Sequence, residues 1–349
     1  MARCKKSEET NTMIKAHNDI LNSKECETYL GDVITKTGSN NKNIEHRKNN
    51  GLAAISQIIS ILNLTSLGHF YFEIALILRE SILLSKLVFN SEVWYNVSSR
   101  QLETLEQIDE LFMRKILNTP KTTPKVALYI ECGKMPVRFI VKMRRLMYYW
   151  HILTRNKDEL IFKFYSAQKY SPSKGDWFHQ VRKDLVDLQI ELNEEEISKM
   201  SNYQFKKLVR HKIEKIAILD LESQRKKKSI KLSIEKFEPQ KYVLSKNLTI
   251  SEVQNLFKLR FYMIDVKENF KSSYRDNMLC MLCLLQSESQ QHLLDCHIIR
   301  DKLKGVVRFE NLNLEMMYQP IESQEIIAKS YTIILNTRRD LLSLQTGNQ

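Results

Sequence analysis

Four residues with metal-binding side chains lie within a 17-residue stretch near the C-terminal end of the chain. Two residues separate Cys280 from Cys283, eight separate Cys283 from His292, and three separate His292 from Cys296. Three thiolates and one imidazole form a Cys₃His ligand set, which in proteins closes a tetrahedral structural zinc site. All four positions on the metal would be filled. The spacing therefore predicts a structural Zn²⁺ with no open position for water or substrate.

A second interpretation of this stretch needs no metal, because a free cysteine packs in a protein interior like a small hydrophobic residue. The metal interpretation is favoured because three of the chain's six cysteines fall here, with a histidine at ligand spacing. So short a loop buries little apolar surface, whereas zinc binding releases roughly 10 to 16 kcal/mol in small peptides. His297 is an alternative to His292, although its adjacency to Cys296 makes ligation by both residues awkward.

Glycine and proline are scarce in this chain, whose 349 residues include only 8 Gly and 6 Pro. Average usage is about 7% and 5%, so few residues here interrupt helices. The hydrophobic fraction of 43% and the charged fraction of 27% are ordinary for a folded protein. We therefore predict a mainly α protein that has a small N-terminal β-hairpin, a helical bundle, a basic helical connector and a small CCHC zinc module.

The chain is strongly basic, with a formal charge of +13 and a pI near 9.3. Such a charge indicates a polyanionic partner, and nucleic acid is favoured over an anionic membrane. Charged residues such as Glu73, Arg79 and Lys86 interrupt the most apolar region, residues 71–89, so no membrane span is expected. The first 20 residues do not resemble a secretory signal. We expect an intracellular protein in the nucleus, the cytoplasm or both.

The best strand signal lies near the N-terminus. Residues 28–30 and 33–35 are β-favouring runs, and Gly31-Asp32 between them is a two-residue turn signal. This pattern predicts a β-hairpin with its turn at Gly31-Asp32.

Apolar residues at three- and four-residue steps predict helices along most of the remaining chain. Ser98 with Gln101, and Ser201 with Gln204, fit capping boxes at two helix starts. Pro124 and Pro136 predict a loop or short extended piece between them. The predicted helices cover about residues 52–62, 70–89, 102–116, 137–154, 205–216, 251–270 and 322–342.

Basic residues recur on the polar faces of these predicted helices. A basic helix face is usually only solvated, or belongs to a core helix whose other face packs inward. Here positively charged residues recur on several successive predicted helices, which favours contact with phosphates. The cations that we predict to contact nucleic acid are Arg138, Lys142, Arg145, Lys207, Arg210 and Lys226.

Several short motifs follow one another in an order that extends over nearly the whole chain. They are Tyr29-Leu30-Gly31-Asp32, Asn90-Ser91-Glu92-Val93-Trp94-Tyr95, Leu105-Glu106 with Asp109, Leu128-Tyr129-Ile130-Glu131-Cys132-Gly133, Arg144-Arg145-Leu146, Gly175-Asp176-Trp177 and the Cys₃His cluster. Each is weak alone, but the collinear series resembles the C-terminal portion of the reverse transcriptase of non-LTR (LINE-type) retrotransposons.

This resemblance implies roles for individual segments. Tyr29, Leu30 and Gly31 look like the palm hairpin that grips the primer end, and the cysteine cluster is similar to a zinc knuckle. Its spacing differs from the retroviral knuckle, which has four residues on each side of the histidine. The implied parts are a palm-end remnant (1–46), a thumb-like helical domain (47–135), a basic connector (136–275), the CCHC zinc knuckle (276–300) and a C-terminal helical segment (301–349).

The resemblance also bears on catalysis. Nucleotidyl transfer by two metal ions needs carboxylates on a rigid palm, and reverse transcriptases use an adjacent aspartate pair. The chain contains no Asp-Asp pair, and the family's order would place that pair before Tyr29. We therefore expect the chain alone to bind no Mg²⁺ and to polymerise nothing. Expected partners are RNA or DNA, as a template–primer duplex or target DNA. The alternative is a domesticated or decaying helical interaction protein without nucleic-acid activity.

Overall fold

The chain folds mainly into α-helices and carries a small N-terminal β-hairpin, which confirms the predicted fold class. The computed structural model describes residues 14–16, 19–21, 24–228, 230–232, 234–274 and 277–346. The first 13 residues of the predicted palm-end remnant lie outside the described residues. So do residues 275 and 276, at the predicted boundary between connector and knuckle.

The described strands form two antiparallel pairs, β1 (Ile14–Ala16) with β2 (Asp19–Leu21), and the hairpin of β3 (Cys26–Tyr29) with β4 (Asp32–Thr35). The helices in the described chain are α1 (Asn41–Leu64), α2 (Tyr71–Leu78), α3 (Leu84–Leu87), α4 (Ser99–Leu117), α5 (Lys125–Cys132), α6 (Val137–Leu153), α7 (Leu160–Tyr170), α8 (Trp177–Asp187), α9 (Glu194–Lys199), α10 (Asn202–Lys227), α11 (Ile250–Arg260), α12 (Gln290–Asp295), α13 (His297–Lys302) and α14 (Ile321–Thr346). A π-helical segment, Arg79–Leu83, joins α2 to α3.

The chain packs as two compact units, each assembled from segments that are separated in sequence. Unit 1 contains the described residues up to 57, together with Glu80–Asp109 and Pro136–Ala217. Unit 2 contains Ile58–Arg79, Glu110–Met135 and the described residues from 218 onward. The five-part division that the resemblance implies stays a prediction.

The turn of the β3–β4 hairpin lies one residue earlier than predicted. Tyr29 pairs with Asp32, so the turn residues are Leu30 and Gly31, with φ angles of 47° and 86°. Positive φ at both positions defines a type I′ turn, whose twist matches that of the strands. The Arg47 guanidinium donates to the Asp32 carboxylate at 2.6 Å and also to the Gly31 carbonyl, which fixes the turn against α1.

Leu30 is an unfavourable residue for this turn, because in the left-handed region the Cβ of most residues crowds the backbone carbonyl, at a cost of about 1 to 2 kcal/mol. Asparagine tolerates that region and is preferred before glycine in type I′ turns. Leu30→Asn is expected to stabilise the protein by about 1 kcal/mol, measured by chemical denaturation. Leu30→Ala is the control, since it removes the same exposed side chain without relieving the backbone. Equal stability of the two variants would contradict the turn assignment.

The segment between Pro124 and Pro136 is helical, which corrects the predicted loop. Each proline occupies the N-cap of a helix, Pro124 that of α5 and Pro136 that of α6. Helix α5 ends at Cys132, and Gly133, with a φ of 59°, caps its C-terminus. A Cβ at position 133 would lie 1.9 Å from the carbonyl carbon of Glu238. The close approach of the backbone at Glu238 therefore requires glycine at position 133.

The predicted helix over 251–270 is shorter than its apolar pattern indicated. Helix α11 ends at Arg260, and the Met263 amide donates to the Lys258 carbonyl at 2.8 Å. Together with a positive φ of 56° at Tyr262, this bond forms a Schellman cap. The cap was missed because glycine usually occupies that position.

The two predicted capping boxes are confirmed. The Ser98 amide donates to the Gln101 side chain at 2.8 Å, and the Gln101 amide donates back to the Ser98 hydroxyl at 3.2 Å. Ser201 and Gln204 make the same reciprocal bonds, also at 2.8 and 3.2 Å, at the start of α10. These local bonds satisfy amides that a helix N-terminus leaves free.

Candidate metal centre

The four predicted ligands lie together in unit 2. The Sγ atoms of Cys280, Cys283 and Cys296 and a ring nitrogen of His292 all fall within 4.8 Å of one another. Within the cluster, Cys283 Sγ lies 3.3 Å from His292 Nε2. Four donors bound to one tetrahedral ion at 2.0 to 2.3 Å lie roughly 3.3 to 3.8 Å apart. No two of these donor atoms are more than 4.8 Å apart, so the cluster is compatible with one bound ion after small side-chain shifts.

A tight turn presents the first two sulfurs. The Cys280 amide donates to the Gln286 carbonyl at 2.7 Å, and the Leu284 amide donates to the Cys280 carbonyl at 3.0 Å. Leu284 has a φ of 57°, so the chain reverses within the segment that separates the two strand-like sides, Leu279 and Ser287. The reversal brings Cys283 back beside Cys280.

Two short helices supply the other two ligands. Ser289 caps the N-terminus of α12 by accepting from the His292 amide at 2.9 Å. Cys296 ends α12 and begins α13, and its amide donates to the His292 carbonyl at 2.7 Å. Both side chains are thus positioned by backbone bonds within a few residues.

The orientation of the His292 ring selects its metal-facing nitrogen. Nδ1 lies 3.0 Å from the Gln286 side-chain oxygen, which can only accept a hydrogen bond. The proton therefore sits on Nδ1, and the lone pair of Nε2 faces the sulfurs. His297 is exposed and does not belong to the cluster, so the geometry favours His292 over that alternative.

The thiols differ in acidity because their environments differ. Burial raises the pKa of Cys280, and burial raises the pKa of Cys296 to about 12. Burial acts the same way on Cys283, but bonds from the backbone amides of Leu285 and Gln286 outweigh it and lower its pKa. Burial also lowers the pKa of His292, which keeps the ring in its neutral, ligating form.

Sequence reasoning missed the groups that hold the cluster in place. Glu288 is fully buried and accepts two bonds from Arg338 on α14, at 2.8 and 3.1 Å. Its other carboxylate oxygen accepts from the Lys267 amide at 3.3 Å. In the sequence, Glu288 is only one polar residue between two predicted ligands. Its partners, Lys267 and Arg338, lie 21 and 50 residues away, so no local pattern indicated these bonds.

The primer-grip-like residues lie at the tip of the β3–β4 hairpin in unit 1. The side chains of Tyr29 and Leu30 are exposed at 64% and 73%. Gly31 packs close to the Phe89 ring, since a Cβ there would lie 3.4 Å from it. The primer-grip role of these residues stays a prediction.

Three of the six predicted phosphate contacts lie on α6 and bind carboxylates within the protein. Arg138 contacts Glu106 at 2.6 Å, and Lys142 contacts Asp187 at 2.6 Å. Arg145 is only 3% exposed and pairs with the fully buried Asp184. This burial corrects the prediction that Arg145 contacts a phosphate, because a buried guanidinium that is paired with a carboxylate is not accessible to nucleic acid. The sequence hid these pairs because the carboxylates lie 32 to 45 residues away.

The other three predicted contacts lie on α10 and are exposed to solvent. Lys207 and Lys226 form no ion pair with the described residues. Arg210 pairs with Glu214 one turn away at 2.8 Å, and an exposed pair of this kind contributes little stability. A phosphate could therefore displace Glu214 at low cost.

Among the residues that the structure describes, no helix is both long enough and apolar enough to cross a membrane. Comparison with protein-family models, curated proteins and solved structures finds no match for this chain.

Proposed function

We propose that this chain is a nucleic-acid-binding part of a non-LTR retrotransposon reverse transcriptase, in which Cys280, Cys283, His292 and Cys296 hold one structural Zn²⁺. The convergence of these four side chains is the observation that carries the proposal. The order of motifs along the chain and the exposed cations of α10 support it. The chain lacks an adjacent aspartate pair, so binding rather than polymerisation is its expected activity.

Zinc suits this donor set better than other divalent ions. Soft thiolates favour Zn²⁺ over Mg²⁺ or Ca²⁺, which prefer oxygen ligands. The Gln286 side chain orients His292 as an outer partner, a feature that metal-bound histidines usually have. Four protein ligands leave no position for water or substrate. The zinc would order the loop and contribute no catalytic step.

The exposed cations of α10 would contact the phosphate backbone. Each such contact releases a counterion, so log K falls with log salt by about 0.7 to 0.9 per phosphate. Binding of this kind tolerates any sequence and weakens steeply as salt rises. The contact set supported by exposure is Lys207, Arg210 and Lys226.

Replacing these three cations by glutamine tests the proposal. The affinity for RNA or duplex DNA at 0.1 M salt is expected to fall about 100-fold, and the salt slope to flatten by about two to three units. Filter-binding titrations over a salt series measure both quantities. The control replaces three exposed lysines elsewhere, Lys157, Lys174 and Lys304, which lowers the net charge by the same amount. An equal loss in this control would show that net charge alone drives binding.

A helical interaction protein without nucleic-acid activity is the second candidate function. The internal ion pairs of Arg138, Lys142 and Arg145 favour it, because they use cations for packing rather than for a ligand. The same titrations separate the two. Absence of binding to either nucleic acid at low salt would leave this second function.

A further inference from the structure

A cleft of about 470 Å³ opens in unit 2 beside α11 and α14. Helix α11 contributes Lys258, and α14 contributes Arg338 and Arg339. One carboxylate, that of Asp265, also belongs to the lining. The walls of the cleft thus carry three positive charges and one negative charge.

Only one of these cations is neutralised by a protein partner. Arg338 donates two hydrogen bonds to the buried Glu288. Lys258 and Arg339 form no ion pair with any carboxylate of the described chain, and Asp265 pairs with neither. Two uncompensated cations therefore face one cleft.

This concentration of positive charge affects the pKa of Lys258. Its pKa is lowered, first by burial and then by the neighbouring charge of Arg339. Lys258 is half-buried and Arg339 is exposed, and repulsion between two such like charges carries an energetic penalty unless a counterion joins them. An anion in the cleft would remove that penalty. It would also favour the charged form of the lysine and so oppose the lowering of its pKa.

The remaining lining shows what kind of anion would fit. Asn118 adds a side-chain amide that has no hydrogen-bond partner in the described residues, while Leu335 and Leu342 form an apolar side. The volume exceeds that of a bare inorganic ion, so the cleft has room for a carbon-containing group attached to the anion. Guanidinium, ammonium and amide groups together are the donors that proteins use for phosphate.

We propose that this cleft binds a phosphate group through Lys258, Arg339 and Asn118. The phosphate belongs either to a nucleic-acid backbone or to a small phosphorylated molecule, because both present the same oxygens. The site uses none of the α10 cations. Its existence does not depend on the function proposed above.

Protection of Lys258 in the intact 349-residue chain tests the site directly. An acylating reagent modifies neutral lysine, and mass spectrometry reports the extent of modification at each position. Pyrophosphate is expected to slow modification of Lys258 by about tenfold, while sodium chloride at equal ionic strength does not. Lys329, exposed on α14 outside the cleft, is the internal control and should react equally in both. Equal modification of Lys258 in both salts would overturn the proposal.

Two variants separate binding from folding. Lys258→Met removes one cation at nearly constant volume and relieves the repulsion, so it should fold at least as stably as the unmodified chain without phosphate. It should bind pyrophosphate about tenfold more weakly by calorimetry, whereas Lys329→Met should bind it normally. Equal pyrophosphate affinity in both variants would also refute the site.

An oligonucleotide distinguishes the two sources of the phosphate. If a strand occupies the cleft, a single-stranded oligonucleotide will protect Lys258, and Lys258→Met will weaken its binding. If the ligand is small, pyrophosphate will protect Lys258 and the oligonucleotide will not. Each result supports a phosphate site, and failure of the α10 titrations would leave both unaffected.

Discussion

Replacing Cys283 with serine is expected to abolish stoichiometric zinc binding and to unfold the segment from 277 to 302. Zinc binding at Cys₃His sites releases roughly 10 to 16 kcal/mol in small peptides, and a hydroxyl is a poor substitute for a thiolate ligand. The remaining core of this segment is small and cannot replace that energy. Metal analysis measures the zinc content. Hydrogen exchange measures the loss of protection in α12 and α13.

Matched substitutions make this result specific. Cys26 is half-buried in β3 and far from the cluster in sequence, so Cys26→Ser should retain zinc. His292→Ala should lose zinc, and His297→Ala should keep it, because only His292 belongs to the cluster. A Cys283→Ser protein that still holds one zinc per chain would disprove the ligand assignment.

The affinity for zinc is expected to fall as pH falls. Ligation requires thiolates, and the raised pKa values of Cys280 and Cys296 keep both thiols protonated at neutral pH. Metal binding must therefore release about two protons or more. Competition with a chromogenic zinc indicator, over a range of about pH 6 to 8, measures how the zinc affinity depends on pH. A flat profile would argue against thiolate ligation.

Arg260→Leu is expected to lower the free energy of unfolding by about 3 to 5 kcal/mol, because it leaves a buried carboxylate without its charged partner. The Arg260 side chain is 1% exposed and donates to Glu131, which is fully buried, at 3.1 Å. It also donates to the Met317 carbonyl and lies over the Tyr242 ring, 5.1 Å from its centroid. Without the guanidinium, the Glu131 carboxylate has no charged partner.

The pH dependence identifies the cause of this loss. Burial already raises the pKa of Glu131, and Arg260 opposes that effect. Removing Arg260 raises the pKa further, so the loss should be smallest in acid, where the carboxyl is protonated in both states. The loss should grow as pH rises above the folded-state pKa of Glu131 in the unmodified chain, and it should level off above the higher pKa of Glu131 in the variant. Chemical denaturation of the variant and the unmodified chain at each pH measures the difference.

Two controls accompany this variant. Arg210→Leu breaks an exposed pair and is expected to cost about 1 kcal/mol or less. The double variant Glu131→Gln with Arg260→Leu removes both charges and should recover part of the stability. A loss that is independent of pH would assign the effect to packing alone.

Local sequence signals predicted the features that depend on near neighbours. The reciprocal bonds of Ser98 with Gln101 span three residues, and the cysteine turn spans four positions. Such contacts are fixed by backbone geometry over one turn. Prediction failed where the local signal was ambiguous. Proline at the start of α5 indicated a loop, and Tyr262 capped α11 where glycine is usual.

The sequence by itself determined that the chain is mainly helical and that four ligands converge near position 290, because periodicity and short spacing act over a few residues. Only the tertiary structure decided which cations are neutralised. Arg145 meets Asp184 across 39 residues, and Arg260 meets Glu131 across 129. Charge pairing depends on distance in space, and a chain that folds back on itself brings together groups whose proximity no local pattern records.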